Sequence, residues 1–228
     1  MQADELDPAV LNELRTLPED LANRVARHLV TADRRLAEDD VETARAHALE
    51  AKRLAGRVAC VREAAGVTAY LAGDYEDALG DLRAARRMRG SDEYLPMMAD
   101  CERGLGRPDR ALDLLRQVDP KSLDAAGRVE VALVVAGARS DLGQVDAALL
   151  VLRAPELRRL PAGTPRARLE YAYADLLVRA DRPDEAREWL ARAAASDVNG
   201  ATDAAERLSG IDGSEELDDD IVLGQEED

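Results

Sequence analysis

Apolar side chains recur along this chain at intervals of three and four residues, the spacing at which they share one face of an α-helix. In the stretch 18–38, for example, Leu21, Val25 and Leu29 lie on or near one face. Thr16 and Glu19 predict a capping box at the start of that helix. The pattern predicts helices over 18–38, 41–55, 58–72, 75–88, 91–106, from 108 onward, and over 122–142, 145–153, 164–180, 183–196 and 201–208. Because Ala, Leu, Arg and Glu dominate and aromatic residues make up 3%, we expect an all-α protein.

Five alanines, called the marker alanines below, define a repeat within this pattern. They are separated by 34, 33, 37 and 38 residues, and each comes five residues after a turn residue. The marker alanines are Ala44, Ala78, Ala111, Ala148 and Ala186, and the turn residues are Asp39, Gly73, Gly106, Gly143 and Asp181. Twelve residues before each marker alanine there is another small residue: Ala32, Gly66, Ala99, Ala136 and Ala174. Self-similarity at this period predicts one helical unit that is repeated and stacked into a solenoid.

The turn between the two helices of a unit is its most regular part. Residues 71–79 read Leu-Ala-Gly-Asp-Tyr-Glu-Asp-Ala-Leu, and 105–112 and 142–149 follow the same pattern. Asp39 and Asp181 stand where the other turns have glycine. Aspartate tolerates a left-handed backbone better than most residues, so we expect the same turn at these two positions.

On these residues the chain resembles the tetratricopeptide repeat (TPR) family, as a bacterial TPR-containing protein, over roughly residues 18–196. The resemblance implies a right-handed superhelical solenoid of about five antiparallel helix pairs, with small residues where paired helices cross. The family's large aromatic residue early in the first helix is absent, and those positions hold His28, Arg62, Leu95, Ala132 and Glu170. We expect an N-terminal segment with a short helix at 1–17, a TPR-like domain at 18–210, and an acidic disordered tail at 211–228.

Charge and cysteine content exclude several functional classes. The net charge of −16 and the pI near 4.6 argue against affinity for nucleic acid or anionic membranes. Cys60 and Cys101 are too few for a disulfide framework, so we expect both thiols to be small buried side chains. The N-terminal residues lack the basic and apolar regions of a secretion signal, which favours a cytoplasmic location. The scarcity of lysine and the abundance of alanine suggest a GC-rich genome.

The chain offers little from which to build an active site. His28 and His47 are the only histidines, and we expect structural or surface roles for both. The sequence contains no HExxH, no CxxC, no calcium-loop pattern and no GxSxG. We therefore predict that the protein is not an enzyme and that it has no cofactor and no metal site.

The family resemblance also implies where a ligand would bind. TPR proteins usually bind proteins or peptides in the concave groove lined by the first helix of each pair. The matching positions here are Leu29, Asp33, Val67, Tyr70, Asp100, Arg103, Leu133, Ser140, Tyr171 and Asp175. The asparagines and lysines with which some members bind a terminal carboxylate are missing from these positions, so a peptide with basic and apolar residues fits better.

Two further features allow more than one interpretation. Arg83, Arg86, Arg87 and Arg89 at the end of one helix complement its macrodipole, or else form a basic patch for RNA or the ribosome, which is the alternative to a protein-binding adaptor. The acidic tail is a solubilising terminus, a linear motif or an inhibitor of the groove. The sequence leaves the partner and the oligomeric state open.

Overall fold

A computed structural model describes residues 5–119, 123–154 and 159–210, most of which are helical. No strand occurs within these three ranges. The helices are α1 (Pro8–Leu14), α2 (Glu19–Ala37), α3 (Val41–Ala55), α4 (Ala59–Leu71), α5 (Tyr75–Arg89), α6 (Leu95–Gly104), α7 (Pro108–Leu115), α8 (Ala125–Asp141), α9 (Val145–Leu152), α10 (Thr164–Arg179), α11 (Pro183–Ser196) and α12 (204–210). The predicted all-α class is confirmed, and the tail predicted at 211–228 lies outside the described residues.

The chain divides into two compact units, Met1–Val118 and Asp119–Asp228, which we describe separately. Unit 1 contains α1 and the helix pairs α2/α3, α4/α5 and α6/α7, whereas unit 2 contains the pairs α8/α9 and α10/α11 and the helix α12. A three-residue connection reverses the chain within each pair, so that its two helices pack antiparallel. These five pairs are the helical units that the marker alanines predicted. The domain boundaries predicted after residues 17 and 210 stay predictions.

The five connections within the pairs share one backbone conformation. The middle residue is left-handed in each, with φ values of 61°, 79°, 70°, 75° and 57° at Asp39, Gly73, Gly106, Gly143 and Asp181. In the first connection the N–H of Asp39 donates to the carbonyl of Leu36 at 3.1 Å. The N–H of Asp40 donates to the carbonyl of Arg35 at 2.8 Å, which completes a Schellman motif. The same two bonds recur in the other four connections, so aspartate replaces glycine as predicted.

Each helix pair buries the two small residues that the sequence places at its predicted crossing. All five marker alanines are 2% exposed or less, and the small residue twelve positions earlier is buried in each pair. At Gly66 an added Cβ would lie 2.8 Å from Cγ of Leu82 and 3.2 Å from the backbone nitrogen of Leu82. Interiors packed this tightly have no space for a larger side chain. The small residues are buried at all five predicted crossings, and at Gly66 the contact with Leu82 leaves no space for a larger side chain.

Helix bounds agree with the sequence within one residue for α2 to α5. The starts of α6, α8 and α12 lie three or more residues after the predicted ones, at Leu95, Ala125 and residue 204, and the cap of α2 also differs. The start of α6 is Leu95 instead of residue 91 or 92, because Pro96 lacks an N–H and fits only in a first turn. At the start of α2, Pro18 takes the N-cap position and no side chain caps the helix. The Thr16 hydroxyl instead donates to the carbonyl of Glu13 at 2.8 Å, so the predicted capping box is wrong.

Two positions that lack the family's aromatic residue hold charged side chains that form ion pairs. Arg62 on α4 donates to Oδ1 of Asp81 on α5 at 2.7 Å, and Lys52 on α3 donates to Oδ2 at 2.7 Å. Glu170 on α10 accepts from Arg166 at 2.9 Å. Asp81 and Glu170 are only 2% and 5% exposed. At each of these positions a buried carboxylate is therefore paired with partly exposed cations.

Candidate binding surfaces

Three of the predicted site residues in unit 1 form one cluster across α4 and α6. Tyr70 on α4 donates its hydroxyl to Oδ2 of Asp100 on α6 at 2.6 Å, and Arg103 on α6 donates to Oδ1 at 2.5 Å. We call Tyr70, Asp100 and Arg103 the Tyr70 cluster, and all three are half-buried. Burial, followed by the hydrogen bond to Asp100, raises the pKa of Tyr70. The phenol therefore stays protonated and acts as a hydrogen-bond donor.

In unit 2 the predicted residues Tyr171 and Asp175 meet a third residue that sequence analysis missed. Arg207 on α12 donates to the Tyr171 hydroxyl at 2.6 Å and to Oδ1 of Asp175 at 2.7 Å. Its guanidinium carbon lies 5.0 Å from the centre of the Tyr171 ring, within cation–π range. We call Tyr171, Asp175 and Arg207 the Tyr171 cluster. Arg207 follows Tyr171 by 36 residues, so extending the repeat period into the last helix could have found it.

An open cavity of about 410 Å³ adjoins the Tyr171 cluster. Its walls combine apolar surface with charged groups, and two of the predicted site residues, Leu133 and Tyr171, line it. The lining residues are Leu133, Arg168, Tyr171, Ala172, Ala201, Thr202 and Asp203. The guanidinium of Arg168 pairs with the carboxylate of Glu130 on α8. A volume of this size accommodates one or two side chains of a bound peptide, with polar groups placed to orient it.

The predicted site residues Leu29, Asp33, Val67 and Ser140 lie outside both clusters. Val67 is half-buried on α4 and Asp33 is exposed on α2. The Ser140 hydroxyl accepts a hydrogen bond from Arg179 at 3.1 Å, which links α8 to α10. Leu29 is 6% exposed and packs in the apolar core around α2. Leu29 therefore supports the fold from inside and does not line a surface.

A second cavity, which the sequence did not predict, lies between α1 and α2 in unit 1. It measures about 340 Å³, and mostly apolar side chains form its walls. The lining residues are Leu11, Leu14, Arg15, Leu17, Glu19, Ala22, Asn23 and Ala26. The polar side chains at this site belong to Arg15, Glu19 and Asn23. The sequence predicts a short helix before residue 18, but α1 has too few apolar residues to predict where it packs, so the cavity could not be predicted.

The arginines at the end of α5 bind acidic side chains of the protein itself. Arg83, Arg86 and Arg89 all form ion pairs, and Arg87 is exposed. The partners and N···O distances are Glu102 for Arg83 (2.7 Å), Asp92 for Arg86 (2.8 Å), and Glu13 (2.9 Å) and Glu63 (2.8 Å) for Arg89. Acidic groups therefore offset most of the positive charge on which the RNA-binding alternative depends.

The histidines and cysteines occupy distinct environments. His28 on α2 and His47 on α3 face one another with 2.9 Å between their Nδ1 atoms. Cys60 and Cys101 are free and buried, as predicted, and burial raises the pKa of each thiol to about 12. In the part of the chain that the structure describes, no three side chains from His, Cys, Asp and Glu converge on a metal position. No helix in that part has the length and hydropathy to cross a membrane.

The repeated crossings and turns define the kind of helical array. Five helix pairs each cross at Gly or Ala and turn through a left-handed residue. The fold consists of five antiparallel helix pairs of one repeated kind. No family model and no curated protein matches this chain. Among solved structures the chain is similar to that of YrrB, titled a TPR protein with an unusual peptide-binding site. That similarity has 19% sequence identity and a TM-score of 0.47, and covers 82% of this chain and 92% of that chain. The Tyr70 and Tyr171 clusters include side chains from α4, α6 and α10, each of which is the first helix of its pair.

Proposed function

We propose that this TPR-like protein is a non-catalytic scaffold or adaptor that binds a protein or peptide on the first-helix faces of its repeats. The observation that supports it most is the open cavity beside Tyr171, where half-buried Leu133 and Tyr171 stand next to charged Arg168 and Asp203. Apolar surface of this kind gives binding energy, and the charged groups around it give orientation. The Tyr70 cluster supplies a second aromatic and charged surface within unit 1.

The charges on these faces indicate the chemistry of the partner. Asp33 and Asp203 are exposed carboxylates, of which Asp203 has a side-chain hydrogen bond with Tyr171. The carboxylates of Asp100 and Asp175 accept hydrogen bonds from arginines. Exposed carboxylates attract lysine and arginine side chains, and the cavity takes an apolar side chain. The proposed ligand is therefore a helix or extended peptide that combines basic and apolar residues.

The class of partner, the location and the absence of catalysis are proposed from the sequence. A net charge of −16 disfavours nucleic acid and anionic membranes as partners, so we propose a protein ligand in the cytoplasm. The sequence contains none of the catalytic patterns considered above, and we propose that the role is binding alone.

Selection from a random peptide display library, followed by calorimetric titration, tests this function. We expect selected peptides to be enriched in basic and apolar residues and to lose at least about tenfold in affinity on Tyr171→Ala, because truncation of a buried interface aromatic costs about 2 kcal/mol or more. Tyr70→Ala tests the unit 1 surface in the same way. Crosslinks from the bound peptide should fall on α8, α10 and α12.

Leu150→Ala is the matched control, because Leu150 on the second helix α9 is 71% exposed and does not line the cavity. It should leave affinity unchanged. Retention of every selected peptide by a folded Tyr70→Ala, Tyr171→Ala double variant would show that the first-helix faces are not the binding surface. Circular dichroism confirms that each variant keeps its helical content.

A further inference from the structure

The helix α12 places an arginine on the surface that the proposed peptide would use. Arg207 donates to the Tyr171 hydroxyl at 2.6 Å and to Oδ1 of Asp175 at 2.7 Å. Its guanidinium carbon also lies 5.0 Å from the centre of the Tyr171 ring. An aromatic face, a hydroxyl oxygen and a carboxylate together recognise the planar guanidinium of arginine. The chain therefore fills an arginine site with a side chain of its own.

Other side chains of α12 hold that helix in place. Ala204 is 0% exposed, and Leu208 packs against the same core cluster. By contrast, the side chains of Arg207 and Asp175 are 34% and 42% exposed, and ion pairs this exposed contribute little to stability. The Arg207 side chain can therefore leave its site while α12 stays docked on the core.

The site carries more negative charge than Arg207 neutralises. Asp203, directly before α12, has a side-chain hydrogen bond with Tyr171, so this carboxylate and that of Asp175 both lie beside one guanidinium. The other cation of the adjoining cavity, Arg168, is paired with a carboxylate of α8. The remaining negative charge attracts a second cation to this surface.

We propose that Tyr171 and Asp175 bind an arginine side chain of the partner peptide, and that Arg207 occupies this site until the partner displaces it. An arginine held on α12 beside its site has an effective concentration of about millimolar or more. Free arginine therefore competes poorly, whereas a peptide that also places an apolar side chain in the cavity gains the additional binding energy it needs. Lysine fits less well, because an ammonium group has no planar face to stack on the ring.

The identity of the occupant rests on the proposed peptide binding, but the chemistry of the site can be tested without a peptide. The probe is N-acetyl-arginine amide, added to the full chain and followed by proton NMR. The sequence has five tyrosines, so Tyr171→Phe assigns the Tyr171 ring signals. We expect the probe to shift these signals saturably in Arg207→Ala at concentrations that leave the wild type unchanged. N-acetyl-lysine amide should bind Arg207→Ala at least about threefold more weakly.

Calorimetry with the peptides selected from the display library tests the displacement. Arg207→Ala should bind them about 3–30-fold more tightly than the wild type, because displacement then no longer costs an exposed ion pair and a cation–π contact. Replacement of the peptide's arginine by lysine should weaken its binding at least about threefold.

Arg192→Ala on α11 is the matched control. The Arg192 guanidinium carbon lies 4.6 Å from the centre of the Trp189 ring, so this variant removes the same charge from another aromatic contact in unit 2. Arg192 does not line the cavity beside Tyr171, and its removal should leave peptide affinity unchanged. Circular dichroism confirms that each variant is folded, and Arg207→Gln replaces Arg207→Ala if the alanine variant is not.

The two measurements separate the arginine site from the proposed function. If no peptide bound to any variant, the proposed function would fail, and N-acetyl-arginine amide would still show whether Arg207 blocks an arginine site. Equal or weaker peptide binding by folded Arg207→Ala would overturn the inference, because Arg207 would then not compete with the partner. A probe that shifts Tyr171 in neither Arg207 variant, or equally in the wild type, would also overturn it.

Discussion

The Tyr70 and Tyr171 clusters combine the same three side-chain types in different arrangements. In each, the aspartate directly follows a small crossing residue, Ala99 before Asp100 and Ala174 before Asp175. In unit 1 the tyrosine comes from the preceding helix pair, and its hydroxyl links α4 to α6. In unit 2 the tyrosine and aspartate share α10, and the arginine of α12 makes the link between helices.

This difference separates a structural cluster from one that a ligand can rearrange. Asp100 and Arg103 are 24% and 27% exposed, whereas Asp175 and Arg207 are 42% and 34% exposed. Asp100 is also the shared acceptor of its cluster, whereas in the other cluster Arg207 is the shared donor, to the Tyr171 hydroxyl and to Asp175. We infer that the Tyr70 cluster mainly holds two repeats together and that the Tyr171 cluster is the more available to a partner.

The largest expected effect comes from breaking the helix crossing on which the Tyr70 cluster depends. Gly66→Leu places a side chain where even a Cβ would lie 2.8 Å from Leu82. We expect a loss of about 3 kcal/mol or more in the free energy of unfolding, because overpacking costs about 1–3 kcal/mol and backbone is part of this contact. Urea unfolding followed by circular dichroism measures the loss.

Gly80→Ala on α5 provides the control within the same helix pair. Nothing lies within 4 Å of a Cβ at Gly80, and that residue is exposed. Alanine should therefore stabilise the protein by about 0.5–1 kcal/mol, since glycine costs more conformational entropy in a helix. If Gly66→Leu unfolded at the same urea concentration as the wild type, close crossing of α4 and α5 would be disproved.

Removal of each cluster's aspartate tests the comparison directly and has the next largest effect. Asp100→Ala leaves the half-buried Tyr70 hydroxyl and Arg103 without their common acceptor, and we expect a cost of about 1–2 kcal/mol. Asp175→Ala leaves Tyr171 bonded to Arg207. The ion pair that it removes, between Asp175 and Arg207, is well exposed, so we expect a loss of about 0–1 kcal/mol in the free energy of unfolding. Both values are measured by urea unfolding at pH 7.

Asp100→Asn refines this result, because asparagine keeps one oxygen that can accept from Tyr70. Its stability should fall between that of the wild type and that of Asp100→Ala. An equal loss in the two alanine variants would mean that the clusters hold their helices equally well, and the distinction between them would have to be abandoned.

Local rules explain which parts of the fold the sequence could predict. A left-handed residue after a helix requires glycine or a residue that tolerates its backbone, so Asp39 and Asp181 could be assigned before any coordinates. The helical pattern of side chains alone predicts too early a start for α6, because it does not include the missing N–H of Pro96. Thr16 was misassigned because its hydroxyl had a nearer acceptor in the turn that ends α1.

The sites were less predictable because they depend on contacts between helices. Repeat position correctly placed Tyr70, Asp100 and Arg103 on neighbouring first helices, but spacing alone does not reveal which atoms bond. Arg207 was missed because the period was not carried into α12, where the helix is short. Leu29 was assigned to the groove by position, although its side chain points into the core around α2.

The smallest expected effect is a pH dependence that distinguishes the two units, since both histidines lie in unit 1 and unit 2 has none. Burial and the neighbouring His47 lower the pKa of His28 from its ordinary value of 6.5. The unfolded chain then binds this proton more tightly than the folded protein does. Stability from this source is present above about pH 6.5 and is lost as the pH falls through the lowered pKa.

Urea unfolding midpoints between pH 7.5 and 5.5 measure this loss while most carboxylates stay ionised. The wild type should become less stable toward pH 5.5, and His28→Gln should flatten the slope because glutamine carries no titrating proton. His47→Gln should also reduce the slope, since after burial the charge of His47 is the next largest cause of the lowered His28 pKa. An unchanged slope in His28→Gln would assign the pH dependence to other groups, and the histidine contact would then contribute nothing that separates unit 1 from unit 2.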